Sequence, residues 1–347
     1  MNNKRSFGLD IGATSVKLVA LDGKSGAFIL KAAHISPAPT KGMLSESPLD
    51  EEEMAQALVK AIKDAGVDSK SVNIALPENQ VYTKVLEMPV LSDRELASAI
   101  YWEAEQYIPV PLTNITLVWN ILKRPDHPTQ TDKMEVLMVG APTMLVSKYQ
   151  KIISIAGLEI NGMETEILAT IRSLVLDDKF PTSLIVNIGA VSTSFAIIRG
   201  GIMVFTYSMS IGGAAINRAI ATDFGLSPQQ AEEYKRVYGI SGKSLGGKIG
   251  KATEPILNSI LGEIKKSIAF YSQKYKDDAP IRQIILSGGT AKLPGIEIFF
   301  ANNSGIETAI ANPWKVLSSQ QMPKNILDNA SDYTIAVGLA MRDYEQQ

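Results

Sequence analysis

The chain of 347 residues is long enough for two or more domains, and its apolar fraction of 45% can supply sizeable cores. Lys and Arg number 34 and Asp and Glu 36, so the net charge of −2 argues against a broad nucleic-acid-binding surface. The lack of cysteine excludes disulfides and cysteine-ligated zinc, and it fits a reducing cytosol.

Membrane-spanning segments are not expected from the sequence. No uninterrupted apolar run approaches the roughly 20 residues that a spanning helix requires. Residues 1–10 lack the apolar core of a signal peptide, and residues 342–347 carry no amphipathic anchor. We therefore expect a cytoplasmic protein without direct membrane insertion, which lies at the inner membrane only through a partner.

The first part of the chain predicts short strands joined by turns, followed by one helix. Strands are expected at residues 7–10, 16–21, 28–35 and 72–76, with Asp22 and Gly23 in a hairpin turn. A helix is predicted to begin with a capping-box-like sequence at Asp50 and to end at Gly66.

Residues 78–158 predict a β-α-β-β-α block that we interpret as an inserted subdomain. Its first helix is expected to begin at a capping box formed by Ser92 and Glu95 and to end near Pro109. Tyr101, Trp102 and Tyr107 share this helix. For these rings we favour core packing over a peptide-binding surface.

The rest of the chain predicts a second α/β unit. Helices are expected at 164–176, 214–223, 228–238, 255–275 and 332–342, and strands at 184–188, 193–198, 202–208 and 281–286. Together with the first part, this pattern predicts the α/β fold class.

A weak internal repeat connects the two units. Residues 9–15 (LDIGATS) align with residues 186–192 (VNIGAVS), and the same offset places Gly23 on Gly200. Each copy reads as a strand, a tight polar turn and a strand. Two such hairpins facing each other across a cleft can hold a phosphate chain from both sides. The alternative is a pair of ordinary hairpins with glycine turns.

The residue types of the repeat suit phosphate chemistry. Gly12 and Gly189 lack a Cβ, so backbone N–H groups can approach phosphate oxygens. Lys17 can add a positive charge, and Asp10 can accept hydrogen bonds from magnesium-bound water. Short hydroxyl donors accompany them at Thr14, Ser15, Ser192 and Thr193.

A third motif follows the predicted strand at 281–286. Residues 284–295 (IILSGGTAKLPG) end that strand in Gly288 and Gly289, and a helix is expected to restart near Pro294. Adjacent glycines let a flat base and a ribose pack against the backbone. The alternative is a tight turn from strand to helix.

With these three motifs, the chain resembles the actin-like ATPase superfamily. The resemblance implies a two-lobed, ribonuclease H-like fold with ATP between the lobes. It makes residues 10–17 the first phosphate motif, 187–194 the second and 287–295 the adenosine motif. Residues 164–172 and 333–340 look like the two helices that connect the lobes.

The resemblance also implies a set of nucleotide contacts. Residues 231–235 (AEEYK) look like the family's helix near the ribose and base, although a solvated charged face would give the same pattern. No catalytic residue stands out, and Glu164 and Glu166 are candidates for positioning water. The implied nucleotide-binding residues are Asp10, Gly12, Ala13, Thr14, Ser15, Lys17, Asn187, Gly189, Ser192, Thr193, Gly212, Gly213, Glu232, Lys235, Gly288, Gly289 and Thr290.

Domain boundaries follow from the same resemblance. The first actin-like lobe is expected to comprise residues 1–77, 159–180 and 319–347, interrupted by the inserted subdomain at 78–158. The second lobe is expected at 181–211 and 253–318, with a small helical subdomain at 212–252.

Within the superfamily, the chain resembles the PilM family of type IV pilus assembly proteins. The resemblance lies in residues 88–89 (MP), 102–109 (WEAEQYIP) and 231–239 (AEEYKRVYG). It implies that ATP or ADP is bound with Mg²⁺. It also implies capture of the N-terminal cytoplasmic peptide of PilN in a groove beside residues 78–158, and links to other inner-membrane and motor proteins of the pilus. The peptide contacts and any self-association stay open.

One position departs from the superfamily pattern. The second phosphate motif usually begins with Asp, whereas this chain has Asn187. Asn keeps an oxygen acceptor but loses the charge, so Asp10 and Asn187 are expected to contact Mg²⁺ only through water. Because general-base assistance is typically worth about 10²–10⁴-fold, we expect nucleotide binding with slow or absent hydrolysis.

Two other functions fit the same fold. A filament-forming cytoskeletal ATPase like FtsA is one alternative, and residues 342–347 lack the terminal membrane-targeting helix expected of it. An actin-fold small-molecule kinase is the other, but no carboxylate base for a substrate hydroxyl stands out. A pelleting assay with ATP and a turnover assay with candidate sugars distinguish these functions.

Overall fold

The computed structural model describes residues 5–24, 26–129, 131–241, 246–318 and 321–344. The strands are β1 (Phe7–Ile11), β2 (Ser15–Lys24), β3 (Ala27–Pro37), β4 (Ser71–Leu76), β5 (Tyr82–Pro89), β6 (Ile115–Lys123), β7 (Lys133–Pro142), β8 (Glu159–Thr165), β9 (Ser183–Ile188), β10 (Thr193–Arg199), β11 (Ile202–Met209), β12 (Gln283–Ser287) and β13 (Glu307–Ile310). The helices are α1 (Pro48–Ala65), α2 (Asp93–Tyr107), α3 (Thr143–Ile155), α4 (Glu166–Leu174), α5 (Gly213–Phe224), α6 (Pro228–Tyr238), α7 (Gly246–Lys274), α8 (Ile296–Ser304), α9 (Lys324–Leu327) and α10 (Thr334–Met341).

Two sheets of the same topology form the two lobes. Their strand orders are β3-β2-β1-β4-β8 and β11-β10-β9-β12-β13. In each sheet three strands pair antiparallel as a meander, and two further strands join in parallel. The repeat seen around Gly12 and Gly189 therefore extends to the whole sheet. This arrangement confirms the predicted α/β, actin-like two-lobed fold.

Each lobe is held together by its own apolar core. In the first lobe, Leu9 and Leu18 of the sheet pack with Met54 and Leu58 of α1, and all four are fully buried. In the second, strands β9, β10 and β12 pack against α5 and α7. Burying one such side chain contributes about 1.5–3 kcal/mol, so these cores dominate the stability of the fold.

Helix α10 packs very closely against the sheet of the first lobe. All its residues from Thr334 to Met341 are buried, and it lies against α4 and β1. Its approach to β1 depends on Gly8, because a Cβ there would lie 2.1 Å from the carbonyl oxygen of Ala336. Only a residue without a side chain allows the strand and helix backbones to come this close.

The inserted sheet has the order β5-β7-β6 and is covered on both faces. Helix α2 packs on one face through Leu96, Ile100 and Ala104. On the other face, Leu137 and Val139 of β7 pack with apolar residues of the second lobe. The inserted sheet therefore packs against the second lobe, although the chain enters the insertion from the first.

The helix that ends the predicted insertion packs elsewhere. Tyr149, Ile152 and Ile153 of α3 belong to the core of the first lobe, beside α1 and β4. The order of elements in residues 78–158 is the predicted β-α-β-β-α, but its last helix does not cover the inserted sheet. The domain boundaries stay predictions, and several of the ranges extend beyond the described residues.

Three predicted element boundaries are wrong. Helix α1 begins at Pro48 rather than at a cap on Asp50, whose carboxylate instead accepts hydrogen bonds from Ser45 and Lys41. The helix predicted from residue 255 begins at Gly246, so Pro255 lies inside α7. Buried Ile249 and Thr253 hold the turns before Pro255 against the core. Residues 159–165 form strand β8 rather than joining the helix predicted from residue 164.

Strand β8 was not predicted because its position depends on the strand with which it pairs. Its sequence, EINGMET, lacks a clear hydrophobic alternation, and it pairs in parallel with β4, far away in the sequence. Strand β13, which was not predicted, is likewise a short edge strand parallel to β12. Pairing of this kind depends on tertiary contacts more than on local propensity.

The capping box of α2 is confirmed, but the prediction for its aromatic residues is wrong. Ser92 and Glu95 each accept a hydrogen bond from the other's backbone N–H. Tyr101, Trp102 and Tyr107 are exposed by 51%, 66% and 40%, because α2 buries a face made of smaller aliphatic residues. In the described part of the chain, no helix is long and apolar enough to cross a membrane.

Candidate functional site

A deep cavity of about 900 Å³ lies between the two lobes. A volume of this size is typical of sites for cofactors and small molecules. All the residues implied as nucleotide contacts line it, except Thr193 and Gly212. The cavity brings together the turn after β1, the turn after β9, the turn after β12 and one side of α6.

The turn from β1 to β2 forms the wall on the side of the first lobe. The N–H of Gly12 donates to the carbonyl of Ser15 at 3.1 Å and closes the turn. A Cβ at Gly12 would lie 3.0 Å from both that carbonyl oxygen and Lys17 Nζ. Lys17 in turn forms an ion pair of 3.0 Å with Asp10, a nearly fully buried residue.

The turn from β9 to β10 has the same geometry in the second lobe. The N–H of Gly189 donates to the carbonyl of Ser192 at 2.9 Å. The N–H groups of Gly12 and Gly189 thus close their own turns. Thr193 is buried away from the cavity, and its hydroxyl donates to the carbonyl of Ile211 at 2.7 Å.

The beginning of α5 is fastened to this second turn. Gly213 and Ala214 donate their N–H groups to the carbonyls of Gly189 and Ala190, at 2.9 and 2.8 Å. A Cβ at Gly212 would lie 2.6 Å from the Gly189 carbonyl oxygen, so this residue allows close packing rather than lining the cavity. Gly213 does line the cavity.

The turn after β12 carries the adjacent glycines of the third motif. Gly288 has a φ of +83°, a conformation that favours glycine, and its N–H donates to the carbonyl of Ser331 at 3.0 Å. The hydroxyl of Thr290 donates to the Gly189 carbonyl at 3.2 Å. The second and third motifs are thus joined directly. A short 3₁₀ turn over residues 289–292 precedes the helix expected near Pro294.

The helix α6 directs Glu232 and Lys235 towards the cavity. Glu232 accepts hydrogen bonds from Lys235 Nζ and from Asn217 Nδ2, both at 2.6 Å. Burial alone would raise the pKa of Glu232, but these hydrogen bonds hold it below its ordinary value. Lys235 is buried, which distinguishes the pair from a solvated ion pair on a helix surface.

The two candidate water-positioning carboxylates occupy different environments. Glu164 lies on β8 outside the cavity, where its carboxylate pairs with Arg172 and Arg342. Glu166 begins α4 and lines the cavity. Burial raises the pKa of Glu166 to about 8, and the nearby charge of Asp10 contributes to the shift.

Several cavity residues were not predicted from the sequence. Asp332 and Lys292 form an ion pair at the cavity wall, and Tyr149 of α3 also lines it. Asp332 directly precedes the segment recognised as a connecting helix, so its position was a usable signal. Tyr149 gave no such signal, because its helix was assigned to the insertion.

The residues around Lys17 form an electrostatic unit. Burial alone would lower the pKa of Lys17, but the carboxylates of Asp10, Asp332 and Glu166 raise it above its ordinary value. In the described ranges, no group of three or more His, Asp or Glu side chains could hold a metal ion directly.

Comparisons with known proteins agree with this geometry. The family model of the type IV pilus assembly protein PilM matches residues 8–344. The cell division protein FtsA of Streptococcus pneumoniae is 25% identical over 327 residues, covering 83% of this chain and 71% of FtsA. FtsA of Bacillus subtilis is 24% identical over 339 residues, covering 85% of this chain and 76% of that protein.

Solved structures extend the comparison to the fold. A chain of a PilM-PilN type IV pilus biogenesis complex is 26% identical, with a TM-score of 0.86 and 98% of each chain covered. MreB 5 of Spiroplasma citri bound to AMPPNP is 12% identical, with a TM-score of 0.55 over 100% of this chain and 97% of that one, and it shows the fold alone. Because the family model covers nearly the whole sequence, this chain belongs to the family of the type IV pilus assembly protein PilM.

Proposed function

We propose that the chain binds ATP or ADP with Mg²⁺ in the cavity between its lobes. The observation that carries the proposal is the pair of equivalent turns at Gly12 and Gly189, one from each lobe, lining one cavity. We assign the phosphates to these turns, with Lys17 as the positive charge. The ribose and base are assigned to the space between α6 and the Gly288 turn.

The residues present fit a magnesium ion that is held through water. Mg²⁺ prefers oxygen ligands and usually keeps several of its waters. Asp10 and Asn187 both line the cavity and carry side-chain oxygens, and these two residues are exposed by 2% and 5%. When bound, the ion would neutralise charge on the phosphates.

Hydrolysis is expected to be slow. Asn187 cannot take a proton from water as a carboxylate can, and its Oδ1 already accepts a long hydrogen bond of 3.4 Å from Ser287. Glu166 remains as a cavity carboxylate, but its raised pKa of about 8 keeps it mostly protonated at neutral pH. Neither group is therefore a strong base at the pH of the cytosol.

Nucleotide binding can be tested with one variant and one matched control. Mg²⁺-ATP should raise the melting temperature of the wild type, because a ligand that binds only the native state stabilises it. Gly12→Val should abolish the shift, since even a Cβ would lie 3.0 Å from Lys17 Nζ and the Ser15 carbonyl. Gly262→Val is the control, because nothing lies within 4 Å of a Cβ there. An undiminished shift in Gly12→Val would refute the phosphate assignment.

We further infer that the nucleotide-loaded protein serves as a cytoplasmic scaffold of type IV pilus assembly. Membership in the PilM family and the similarity to a chain of a PilM-PilN complex support this role. In this proposal the chain binds the N-terminal cytoplasmic peptide of PilN. It thereby lies at the inner membrane through a partner and connects to the motor proteins of the pilus.

We assign the peptide to the outer edge of β6. This strand is the edge of the inserted sheet, and within the described residues no other strand pairs with that side. Val118 and Trp119 on this strand are exposed by 53% and 41%. An extended peptide can add to such an edge through main-chain hydrogen bonds, with side-chain contacts giving specificity.

The peptide assignment has its own test. A labelled N-terminal PilN peptide is titrated against the wild type, Trp119→Ala and Trp102→Ala, with and without ATP. Trp119→Ala should weaken binding about tenfold, a typical loss for a central aromatic contact. Trp102 is an exposed tryptophan on α2 of the same insertion, and its loss should leave affinity within about twofold. Equal effects of the two variants would argue against the β6 edge.

The similarity to FtsA supports a second candidate function, that of a filament-forming protein. The identity of 25% to the cell division protein FtsA over most of the chain is the observation that supports the filament-forming alternative. Sedimentation with Mg²⁺-ATP checks this alternative directly. Polymer that pellets with nucleotide, together with no affinity for the PilN peptide, would favour a filament-forming protein over the scaffold.

A further inference from the structure

Asn187 carries no charge, whereas the second phosphate motif of the superfamily usually begins with a negatively charged Asp. Asn187 lines the cavity from the end of β9, opposite Asp10 of the other lobe. A neutral side chain there leaves the second phosphate turn without a carboxylate that could bind magnesium-bound water. Asp332 is a carboxylate of the same cavity, and it lies beside the adjoining turn after β12.

Asp332 and Asn187 lie on either side of one glycine pair. A Cβ at Gly288 would lie 2.6 Å from Asn187 Oδ1, and a Cβ at Gly289 would lie 2.9 Å from Asp332 Oδ1. Both side chains line the cavity. The two oxygens thus approach adjacent residues of the same turn. The carboxylate of Asp332 therefore acts close to Asn187, the position at which the superfamily usually has a charged Asp.

Neighbouring side chains hold Asp332 in this position. Lys292 Nζ donates to Asp332 Oδ2, and it also donates to Asn329 Oδ1 at 2.5 Å. The Asp332 side chain is only 9% exposed. Because Oδ2 takes the ion pair, Oδ1 is the oxygen that lies against Gly289.

Asp332 also acts on the group that faces the phosphates. Its negative charge contributes, with those of Asp10 and Glu166, to the raised pKa of Lys17. Its charge therefore acts at the first phosphate turn, since residues 330–333 lie against β2, the strand that carries Lys17. A carboxylate that acts on Lys17 also attracts a divalent cation bound beside that lysine.

From this geometry we infer that Asp332 supplies the second carboxylate for the hydrated magnesium ion, in place of the charge absent at Asn187. The inference rests on the proposed nucleotide site. It assigns to Asp332 the role of a positioning residue that makes nucleotide affinity depend on magnesium, with Lys292 and Asn329 fixing its orientation.

The test measures how strongly magnesium improves nucleotide affinity. Calorimetric titrations with AMPPNP in MgCl₂ and in EDTA give the ratio of the two Kd values for each variant. Asp332→Asn should lower this ratio about tenfold, equivalent to about 1.4 kcal/mol, while leaving the Kd in EDTA within about twofold. Asn187→Asp in the Asp332→Asn background should restore the ratio, because it returns a carboxylate to the other side of the same turn.

A matched control separates this effect from a general change in charge. Asp328 is an exposed carboxylate at the rim of the same cavity, so Asp328→Asn removes one charge without removing the proposed contact. Its magnesium ratio should stay within about twofold of the wild type. An unchanged ratio in Asp332→Asn, or equal losses in MgCl₂ and EDTA, would overturn the inference and leave the nucleotide site intact. A wild type that binds no AMPPNP in either buffer would overturn the proposed site itself.

Discussion

Gly338 of α10 lies directly against Ala169 of α4 where the two connecting helices cross. A Cβ at Gly338 would lie 1.7 Å from the carbonyl oxygen of Ala169, closer than any real contact. Both helices reach the cavity, α4 through Glu166 and α10 through Thr334 and Ile335, so their separation affects the geometry of the cavity wall. Gly338 is therefore a residue on which the packing of these two helices depends.

The first prediction follows from this contact. Gly338→Ala should lower the free energy of unfolding by about 3 kcal/mol or more, because the backbones must move apart to admit a methyl group. Gly262→Ala in α7 is the control, since open space surrounds it. Alanine there should raise stability by about 0.5–1 kcal/mol, as expected for a helix interior. Urea denaturation of both variants measures the difference, and a mild effect of Gly338→Ala would contradict the close packing.

The second prediction concerns hydrolysis at the second phosphate turn. Asn187→Asp should raise the basal rate of ATP hydrolysis about tenfold or more, because it introduces a carboxylate at the cavity wall. Steady-state phosphate release with Mg²⁺-ATP measures the rate, and Ser194→Ala, a neighbouring buried position outside the cavity lining, serves as the control. A rate that stays at the wild-type level would mean that residue 187 does not limit the chemistry.

The third prediction uses the raised pKa of Glu166. The folded protein holds this pKa at about 8, above the ordinary value of 4.5, so folding disfavours the ionised form. The unfavourable contribution is absent below about pH 4.5, grows between about pH 4.5 and about pH 8, and is constant above that range. Glu166→Gln should therefore raise the melting temperature by a few degrees at pH 8.5 and change it little at pH 5.

The comparison across pH is the decisive measurement for Glu166. Glu164→Gln provides the contrast, because it breaks the ion pairs with Arg172 and Arg342 and should destabilise the protein at both pH values. A melting temperature for Glu166→Gln that differs from the wild type by the same amount at pH 5 and 8.5 would contradict the assigned pKa.

The fourth prediction concerns the contact between the insertion and the second lobe. Arg199 of β10 donates to Glu135 of β7 at 2.8 Å and to Asp278 at 2.6 Å, and it lies over the ring of Tyr275. Arg199→Gln should lower the free energy of unfolding by about 1–3 kcal/mol, because it leaves the largely buried carboxylate of Glu135 without its charged partner.

A double-mutant cycle isolates this contact. The cycle of Arg199→Gln and Glu135→Gln should give a coupling energy above about 0.5 kcal/mol. The exposed pair of Lys266 and Glu263 on α7 is the control, and its coupling should be no more than about 0.5 kcal/mol. Equal coupling in the two pairs would show that the insertion is not held to the second lobe by Arg199.

Much of the fold could be predicted from local patterns. The strands around the Gly12 and Gly189 turns are short apolar runs, and each turn closes between residues only three apart. The capping box at Ser92 depends on the same short range. Strand β8 could not be predicted in this way, because its position is fixed by pairing with β4 and not by its own residue pattern.

The candidate site, too, could be predicted from the sequence only in part. The residue types of Asp10, Lys17 and Gly288 already indicated phosphate and nucleoside chemistry, because small turns with glycine, charge and hydroxyl groups are chemically distinctive over a few positions. The resemblance to the actin-like ATPase superfamily indicated, in addition, which of these turns face one another. Nothing in a run of neighbouring residues could distinguish Glu166 from Glu164, which stand two positions apart.

Tertiary packing made that distinction and several others. The end of β8 turns Glu164 towards Arg172, while the start of α4 directs Glu166 into the cavity. Asp332 and Lys292 meet Gly289 only because α10 brings the end of the chain back between the lobes. The residue types of the turns, and with them the expected phosphate contacts, could be identified from short stretches of sequence. The charged side chains around the turns come from segments that are far apart in the sequence, so only folding brings them together.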